Sequence, residues 1–212
     1  MTVGGIGIQS GDIVLLFCNF DTFPNTISCT GFSVLVTNQQ IGSGTNSTVV
    51  VLSKTAGGSE PSTYTINGTA SDLYSAQCRV YSGRSGTVTA QQTTNLAGTG
   101  APPVTTSITG LTAAAGDDVV LFVGGSTATL TCTYSWTQPS GYGNSLITSA
   151  SATTSFAPNC YSADNTNVSA GATGTLATTQ TNTGPNNIGY AAFLVSLAAA
   201  AAGNTATLAW IT

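Results

Sequence analysis

Histidine is absent from the 212 residues, and lysine and glutamate occur once each, as Lys54 and Glu60. Without histidine there is no Ser-His-Asp or Cys-His nucleophile and no imidazole general base. The five cysteines contain no CxxC pair, so zinc sites of the usual ligand spacing are excluded as well. No Gly-x-Ser-x-Gly elbow occurs. Gly5-Ile6-Gly7 has its next glycine at Gly11, off the dinucleotide-binding spacing. Charge is scarce too: 5% of residues are charged, against about 25% in an ordinary soluble domain. Three basic residues in a chain of net charge −4 cannot track a phosphate backbone, so nucleic acid is not an expected partner. The longest apolar run, Ala191 to Ala202, is interrupted by Ser196 and is shorter than the ~20 residues a spanning helix needs. No membrane association is expected.

What remains is an apolar content of 41% and a surface that must be covered by Thr, Ser, Asn, Gln and Gly. Disorder does not fit, because disordered chains combine low hydrophobicity with high charge. The length suffices to bury a sizeable core. A neutral hydroxyl- and amide-rich surface is hydrated but weakly self-repelling, as suits a protein packed into an assembly or exposed outside a cell. The amino terminus, Met1-Thr2-Val3-Gly4-Gly5-Ile6, lacks the basic region and apolar core of a secretory signal. A virion protein, made in the host cytoplasm and released by lysis, reconciles the two facts.

The pattern of the chain is that of short strands. Val3–Ile8 alternates; Ile13-Val14-Leu15-Leu16-Phe17 is continuously apolar, as in a central strand buried on both faces. Gly31–Thr37 predicts a half-buried strand with Phe32, Val34 and Val36 on one face. Further strands are expected at Val49–Ala56, Leu73–Tyr81, Val88–Thr94, Ala172–Thr181, Ile188–Leu197 and Thr205–Ile211. Thr127–Trp136 reads as a strand after a Gly-Gly-Ser turn, Ser145–Phe156 as one bent strand or two, and Cys160–Val168 as irregular. Gly116-Asp117-Asp118-Val119-Val120-Leu121-Phe122 echoes Gly11-Asp12-Ile13-Val14-Leu15-Leu16-Phe17, which predicts two equivalent central strands, one in each of two sheets. Strands at this spacing, with Gly/Asn/Pro turns, indicate an all-β protein: a two-sheet antiparallel β-sandwich over residues 1–212. Residues 98–104 are read as a crossover inside it. Leu197–Ala202 is a strand end followed by a turn.

Few residues invite a chemical role. Lys54 and Glu60 flank a glycine turn, which predicts a hairpin between Val49–Ala56 and Glu60–Thr65 pinned by an ion pair. A hairpin between Asp12–Phe20 and Ser28–Val36 would set Cys18 opposite Cys29. Cytoplasmic synthesis favours thiols, so buried free cysteine is the expected state of Cys18, Cys29, Cys78, Cys132 and Cys160. Asp12 and Asp117 are expected at strand starts rather than as paired catalytic carboxylates. Asp117-Asp118 and Asp164-Asn165-Thr166-Asn167 offer oxygen ligands, but neither has the spacing of a calcium loop. Strand-edge solvation and turn chemistry are their expected roles. Tyr142, between Gly141 and Gly143, is the best candidate for an exposed ring that stacks on a sugar, against the plainer reading of core packing. Asn46, Asn67 and Asn167 begin glycosylation sequons of the kind an Asn/Thr-rich chain carries by chance. No catalytic residue, metal ligand or cofactor site is expected.

Four stretches carry a family resemblance. Gly11-Asp12-Ile13-Val14-Leu15-Leu16, Leu52-Ser53-Lys54-Thr55-Ala56, Glu60-Pro61-Ser62-Thr63-Tyr64-Thr65 and Val80-Tyr81-Ser82-Gly83 together resemble a domain common in tailed-phage and phage-derived structural proteins. Ala170-Gly171-Ala172-Thr173-Gly174-Thr175 and the apolar strand Ala191–Leu197 extend the resemblance over nearly the whole chain. The family's Pro-x-Gly-Trp turn is here Cys29-Thr30-Gly31-Phe32, and the tryptophan two residues after the tyrosine is Ile66. The resemblance implies a jelly-roll-like sandwich on a virion and no catalytic residue. The implied role is a capsid decoration or cement protein, a homotrimer seated on the major capsid protein. The alternative is a tail-tip or fibre domain that recognises host-surface glycan.

Overall fold

The computed structural model describes residues 7–22, 25–41, 47–69, 73–95, 103–127, 134–150, 157–182, 188–200 and 208–209. These residues are all-β. In chain order the strands are β1 (Ile13–Phe20), β2 (Ser28–Cys29), β3 (Ser33–Ile41), β4 (Ser47–Thr55), β5 (Ile66–Asn67) and β6 (Tyr74–Tyr81). There follow β7 (Arg84–Asn95), β8 (Val104–Ile108), β9 (Thr112–Ala113), β10 (Asp118–Thr127), β11 (Tyr134–Trp136) and β12 (Gly143–Ser149). The set closes with β13 (Ala157–Asn165), β14 (Gly171–Ala172), β15 (Leu176–Asn182), β16 (Ile188–Ala199) and β17 (Leu208–Ala209).

Two five-stranded antiparallel sheets pack face to face. One has the order β17-β6-β1-β4-β3 and the other β7-β16-β10-β13-β12. The echoed segments are the middle strands β1 and β10, as the sequence predicts. Each is apolar on both faces because each has a sheet on one side and a covering layer on the other. Between the sheets, Phe17 packs on Phe122 and Phe193, with ring centroids 5.1 and 6.0 Å apart. Ile13, Leu15, Val49, Val51, Val120, Val195 and Leu197 complete that apolar half of the interface. Outside the second sheet lies a three-stranded sheet, β11-β15-β8, which adds Ile108, Trp136 and Leu176 to a second core. Outside the first, the pair β2-β5 and its flanking loops cover a third, with Ile27, Cys29, Tyr64 and Ile66.

The equivalence extends beyond the two middle strands. Matched from the middle outward, β6 answers to β16, β4 to β13, β3 to β12 and β17 to β7. The fifth strands are exchanged: β7 follows β6 in the chain but joins the second sheet, and β17 follows β16 but joins the first.

The other half of the inter-sheet space is polar. On β6, Ser75, Gln77 and Arg79 alternate with outward-facing residues and meet Cys160, Ser162 and Asp164 of β13. Gln77 Nε2 donates to the Cys160 carbonyl at 2.9 Å, and Ser162 Oγ donates to Gln77 Oε1 at 2.6 Å. Arg79 is 2% exposed. It donates to Ser162 Oγ at 2.7 Å, the carbonyls of Ser162 and Asn144 at 2.9 and 2.8 Å, and Asp164 Oδ2 at 3.3 Å. Tyr81 Oη and Asn144 Nδ2 also donate to Asp164, at 3.1 and 2.9 Å. The buried charges are thus hydrogen-bonded as well as paired, which is the condition for tolerating them.

Several expectations are corrected. Cys160–Val168 is not irregular: residues 157–165 form β13, paired on both sides. Its inward positions are polar because they serve the ladder, which hid the strand. Gly124-Gly125-Ser126 is not a turn but part of β10. A side chain at Gly124 would collide with Val49 Cγ1, so glycine is what lets the sheets approach there. β1 does not pair with residues 28–36; it lies between β4 and β6, so Cys18 faces Val50 and Ala76 rather than Cys29. A strand apolar on both faces is satisfied only in mid-sheet. Glu60–Thr65 does not form a hairpin with β4, whose partners are β1 and β3. In β3 the alternation breaks at irregularities on either side of Val36, so Val36 is buried while Val34 is 52% exposed. β12 covers 143–149 of the bent-strand segment. Gly7 and Ile8, the end of the expected first strand Val3–Ile8, are not in a strand; its residues 3–6, residues 151–156, most of the 98–104 crossover and Cys132 lie outside the described residues.

Candidate functional site

Asp12 and Asp117 hold turns, and the strand-edge solvation expected of Asp117-Asp118 does not occur, since both are buried. Asp12 Oδ2 accepts the Gln9 N–H at 2.7 Å and Asp117 Oδ2 the Ala114 N–H at 3.0 Å, each three residues back. The glycines before them adopt φ of 91° and 86° and close the same turn. Each turn is tied to the neighbouring strand end. Gly11 donates to the Ala56 carbonyl and Ala56 to that of Asp12; Gly116 and Val168 repeat the pair with Asp117. Asp117 also accepts from Ser196 Oγ and the Ala199 N–H, and Asp118 from Arg84 Nη2 at 2.7 Å and the Asn167 N–H at 2.9 Å. Among the described residues no three His, Cys, Asp or Glu side chains gather as a cation site. Burial pushes the thiols of Cys78 and Cys160 up to about 12 and that of Cys18 well above its usual range, so none is a ready nucleophile. Cys18, Cys29, Cys78 and Cys160 are free and buried.

The expected ion pair is present. Lys54 Nζ lies 2.7 Å from Glu60 Oε2, which also accepts from Tyr64 Oη at 2.7 Å, while Glu60 Oε1 accepts the Gly57 N–H at 2.7 Å. The ammonium also lies 5.8 and 5.7 Å from the ring centres of Phe32 and Tyr64. Burial alone would raise the Glu60 carboxyl; the hydrogen bonds from Lys54, Tyr64 and Gly57 outweigh it and hold the group below its ordinary value. A depressed folded value means stability that is present above the ordinary glutamate value and lost as pH falls through the folded one. Glu60→Gln should therefore melt below the parent at pH 7, by an amount corresponding to about 0.5–1 kcal/mol. The two melting curves should converge below about pH 4. A difference that is constant with pH would mean that the carboxylate charge plays no part.

The second half carries the same local frame with a different filling. Pro139-Ser140-Gly141-Tyr142 repeats the turn Cys29-Thr30-Gly31-Phe32: Phe32 N–H donates to the Cys29 carbonyl at 3.0 Å, Tyr142 N–H to that of Pro139 at 3.1 Å, and both glycines have φ of 81°. Gly31 faces the Lys54 side chain and Gly141 faces Asn165 Nδ2, so Asn165 stands where Lys54 does. In the first half the space beyond the turn is taken by Lys54, Glu60 and Tyr64. In the second it is a recess of about 430 Å³ lined by Ser140, Tyr142, Asn165, Asn167, Val168, Ser169, Gly171, Ala172, Thr173 and Leu176. Tyr142 takes the plainer of its two readings: it is 7% exposed and packs in the second core. Its phenol is pushed up by burial and by the nearby Asp164.

A third feature is a surface. In the three-stranded sheet Thr106, Ile108, Tyr134, Trp136, Leu176, Thr178 and Gln180 point inward. The alternating positions Thr105, Ser107, Ser135, Ala177, Thr179 and Thr181 form the outer face, all exposed except the half-buried Thr179. Thr105 and Thr179 hydroxyls lie 2.8 Å apart across it. This face carries no charge. No family model, curated protein or solved structure matches this chain. Sequence reading missed Arg79, the pairing of Asp164 with it in place of a turn role, and the equivalence of the two Gly-aromatic turns. The recurrence of Ser/Thr-Gly-aromatic after each Gly-Asp was the available signal for the turn.

Proposed function

We propose that the protein is a structural component of a tailed-phage virion, a jelly-roll-like capsid decoration or cement protein that acts by lattice packing. The observation that supports this reading is the flat Thr/Ser/Ala face of the three-stranded sheet. Short neutral side chains lose little conformational entropy on contact, and their hydroxyls can exchange water for a partner's polar groups. A face without charge suits a repeating contact that does not depend on electrostatic steering. The near absence of charge over the whole chain and the family resemblance of its strand-start motifs point the same way. On this reading the partner is the major capsid protein, the oligomer a homotrimer, and stabilisation comes from contacts spread over neighbouring capsomers.

The test is immunogold electron microscopy of phage particles with antibody raised to the recombinant chain. Gold over the head supports decoration. Label confined to the tail tip, or unlabelled particles, overturns it. Thr105→Lys and Thr179→Lys, which place charge on the flat face, should reduce occupancy of heads without lowering the melting temperature of the free protein.

A further inference from the structure

The recess of the second half is the place where the two halves differ most in what they offer a ligand. The halves share the Gly-Asp turn, the Gly-aromatic turn and the strand ends that frame it. In the first half the chain fills the space itself, with the Glu60 carboxylate held by Lys54 and the Tyr64 ring beside it. In the second, Asn165 replaces the lysine, and the loop that would carry the glutamate and tyrosine is Ser169-Ala170-Gly171-Ala172-Thr173-Gly174-Thr175, all small residues. That loop is not slack. Gly171–Ala172 pairs with Thr112–Ala113, and Thr173 is tied to Leu111 through both its backbone and its hydroxyl. The space therefore stays open on a braced frame.

The lining decides what would enter. None of the ten residues is charged, so an ion would have no counter-charge there. Asn165 and Asn167 each carry both a donor and an acceptor, and Ser140, Ser169 and Thr173 add hydroxyls of either sense. Val168, Ala172 and Leu176 supply apolar surface. Tyr142 is nine-tenths buried, and its hydroxyl has no hydrogen-bond partner among the described residues, which leaves it for a ligand in the recess it lines. Paired amides and hydroxyls over a small apolar floor match vicinal hydroxyls above the apolar face of a sugar ring. The volume is within the range of small-molecule sites. We propose that this recess binds a short neutral saccharide, with Asn165, Asn167 and the Tyr142 hydroxyl as its polar contacts. The inference stands on the recess alone and not on the lattice reading: labelling of heads or tails leaves it untouched.

The experiment is a glycan array probed with the full chain, followed by calorimetric titration of the neutral oligosaccharide that binds best. Expected is binding to neutral glycans and none to sialylated or sulfated ones. Ala172→Trp, at an exposed position, fills the recess and should abolish binding while the circular dichroism spectrum is unchanged. Tyr142→Phe, which removes only the hydroxyl, should weaken it several-fold. Ser33→Trp, in the separate recess beside Lys54, should leave affinity as in the parent. Three results would overturn the proposal: silence across all neutral glycans, preference for charged ones, or binding that survives Ala172→Trp.

Discussion

Arg79→Ala should cost about 3–5 kcal/mol of folding stability, because it leaves the buried carboxyl of Asp164 without its cationic partner between the sheets. In a chain of this length that corresponds to a fall in melting temperature of roughly 6–20 °C. The loss exceeds what the 3.3 Å ion pair alone suggests. Arg79 satisfies Ser162 Oγ and two backbone carbonyls as well, and each becomes a buried acceptor or hydroxyl without its donor. A hydrophobic replacement of both partners, Arg79→Met with Asp164→Leu, should recover much of the loss, since removing both charges also removes the cost of burying either. Urea denaturation measures both, and the comparison is valid if the slope of the transition is unchanged. A single variant within about 1 kcal/mol of the parent would show that water reaches Asp164 and that the ladder is not dry.

The ladder's position shows why it is tolerated. Gln77 lies opposite Phe17 in the first sheet, as Phe193 lies opposite Phe122 in the second. Equivalent positions in the two halves are thus polar in one and aromatic in the other, so the inter-sheet space has a wet-chemistry side and a dry side. A slip of β6 along β1 by two residues would keep the same faces inward yet move Arg79 away from Asp164 and Ser162. Apolar packing alone discriminates weakly against such a slip, whereas an unpaired buried charge does so strongly.

How much of this was legible in the sequence follows from the same contrast. β1, β4 and β16 are apolar runs rich in Val, Leu and Phe, and they could be read directly. The Gly-Asp echo located both middle strands, because a positive-φ glycine followed by a turn-capping aspartate is a local device that needs no tertiary context. β13 could not be read, since Cys160, Ser162 and Asp164 face the first sheet only by virtue of their partners on β6. Gly124-Gly125 looked like a turn because nothing local announces that Val49 will lie against it. Tyr142 between two glycines allowed an exposed and a buried reading, and the plainer one, core packing, is what the turn produces. The ion pair of Lys54 and Glu60 was legible, being six residues apart, but its tie to Tyr64 made a braced loop rather than a hairpin. The exchanged strands β7 and β17 left no trace in composition, because an edge strand's choice of sheet depends on what lies beneath it.

Phe17→Ala should be comparably severe, at about 3–5 kcal/mol, for a different reason. The side chain is wholly buried between the sheets against Phe122 and Phe193, and its removal leaves a cavity that close-packed β-sheets cannot collapse to fill. Phe17→Leu should lose less, since most of the volume remains. Phe17 and Phe122 occupy equivalent positions of the two middle strands, so their contact is where the halves hold each other. A double-mutant cycle between them should give a coupling of about 0.5–1.5 kcal/mol beyond the loss of area. The same contact makes a statement about cooperativity. With Trp210 replaced by Phe in both proteins, Trp136 is the remaining tryptophan and reports on the second core, whereas far-ultraviolet dichroism reports on all strands. If the sheets share one core, the two probes should give coincident unfolding curves for the parent and for Phe17→Ala alike, shifted together. Curves that separate in the variant, with the tryptophan signal lost last, would mean that the second sheet and its covering layer hold without the first. The Phe17–Phe122 contact would then join two bodies rather than build one.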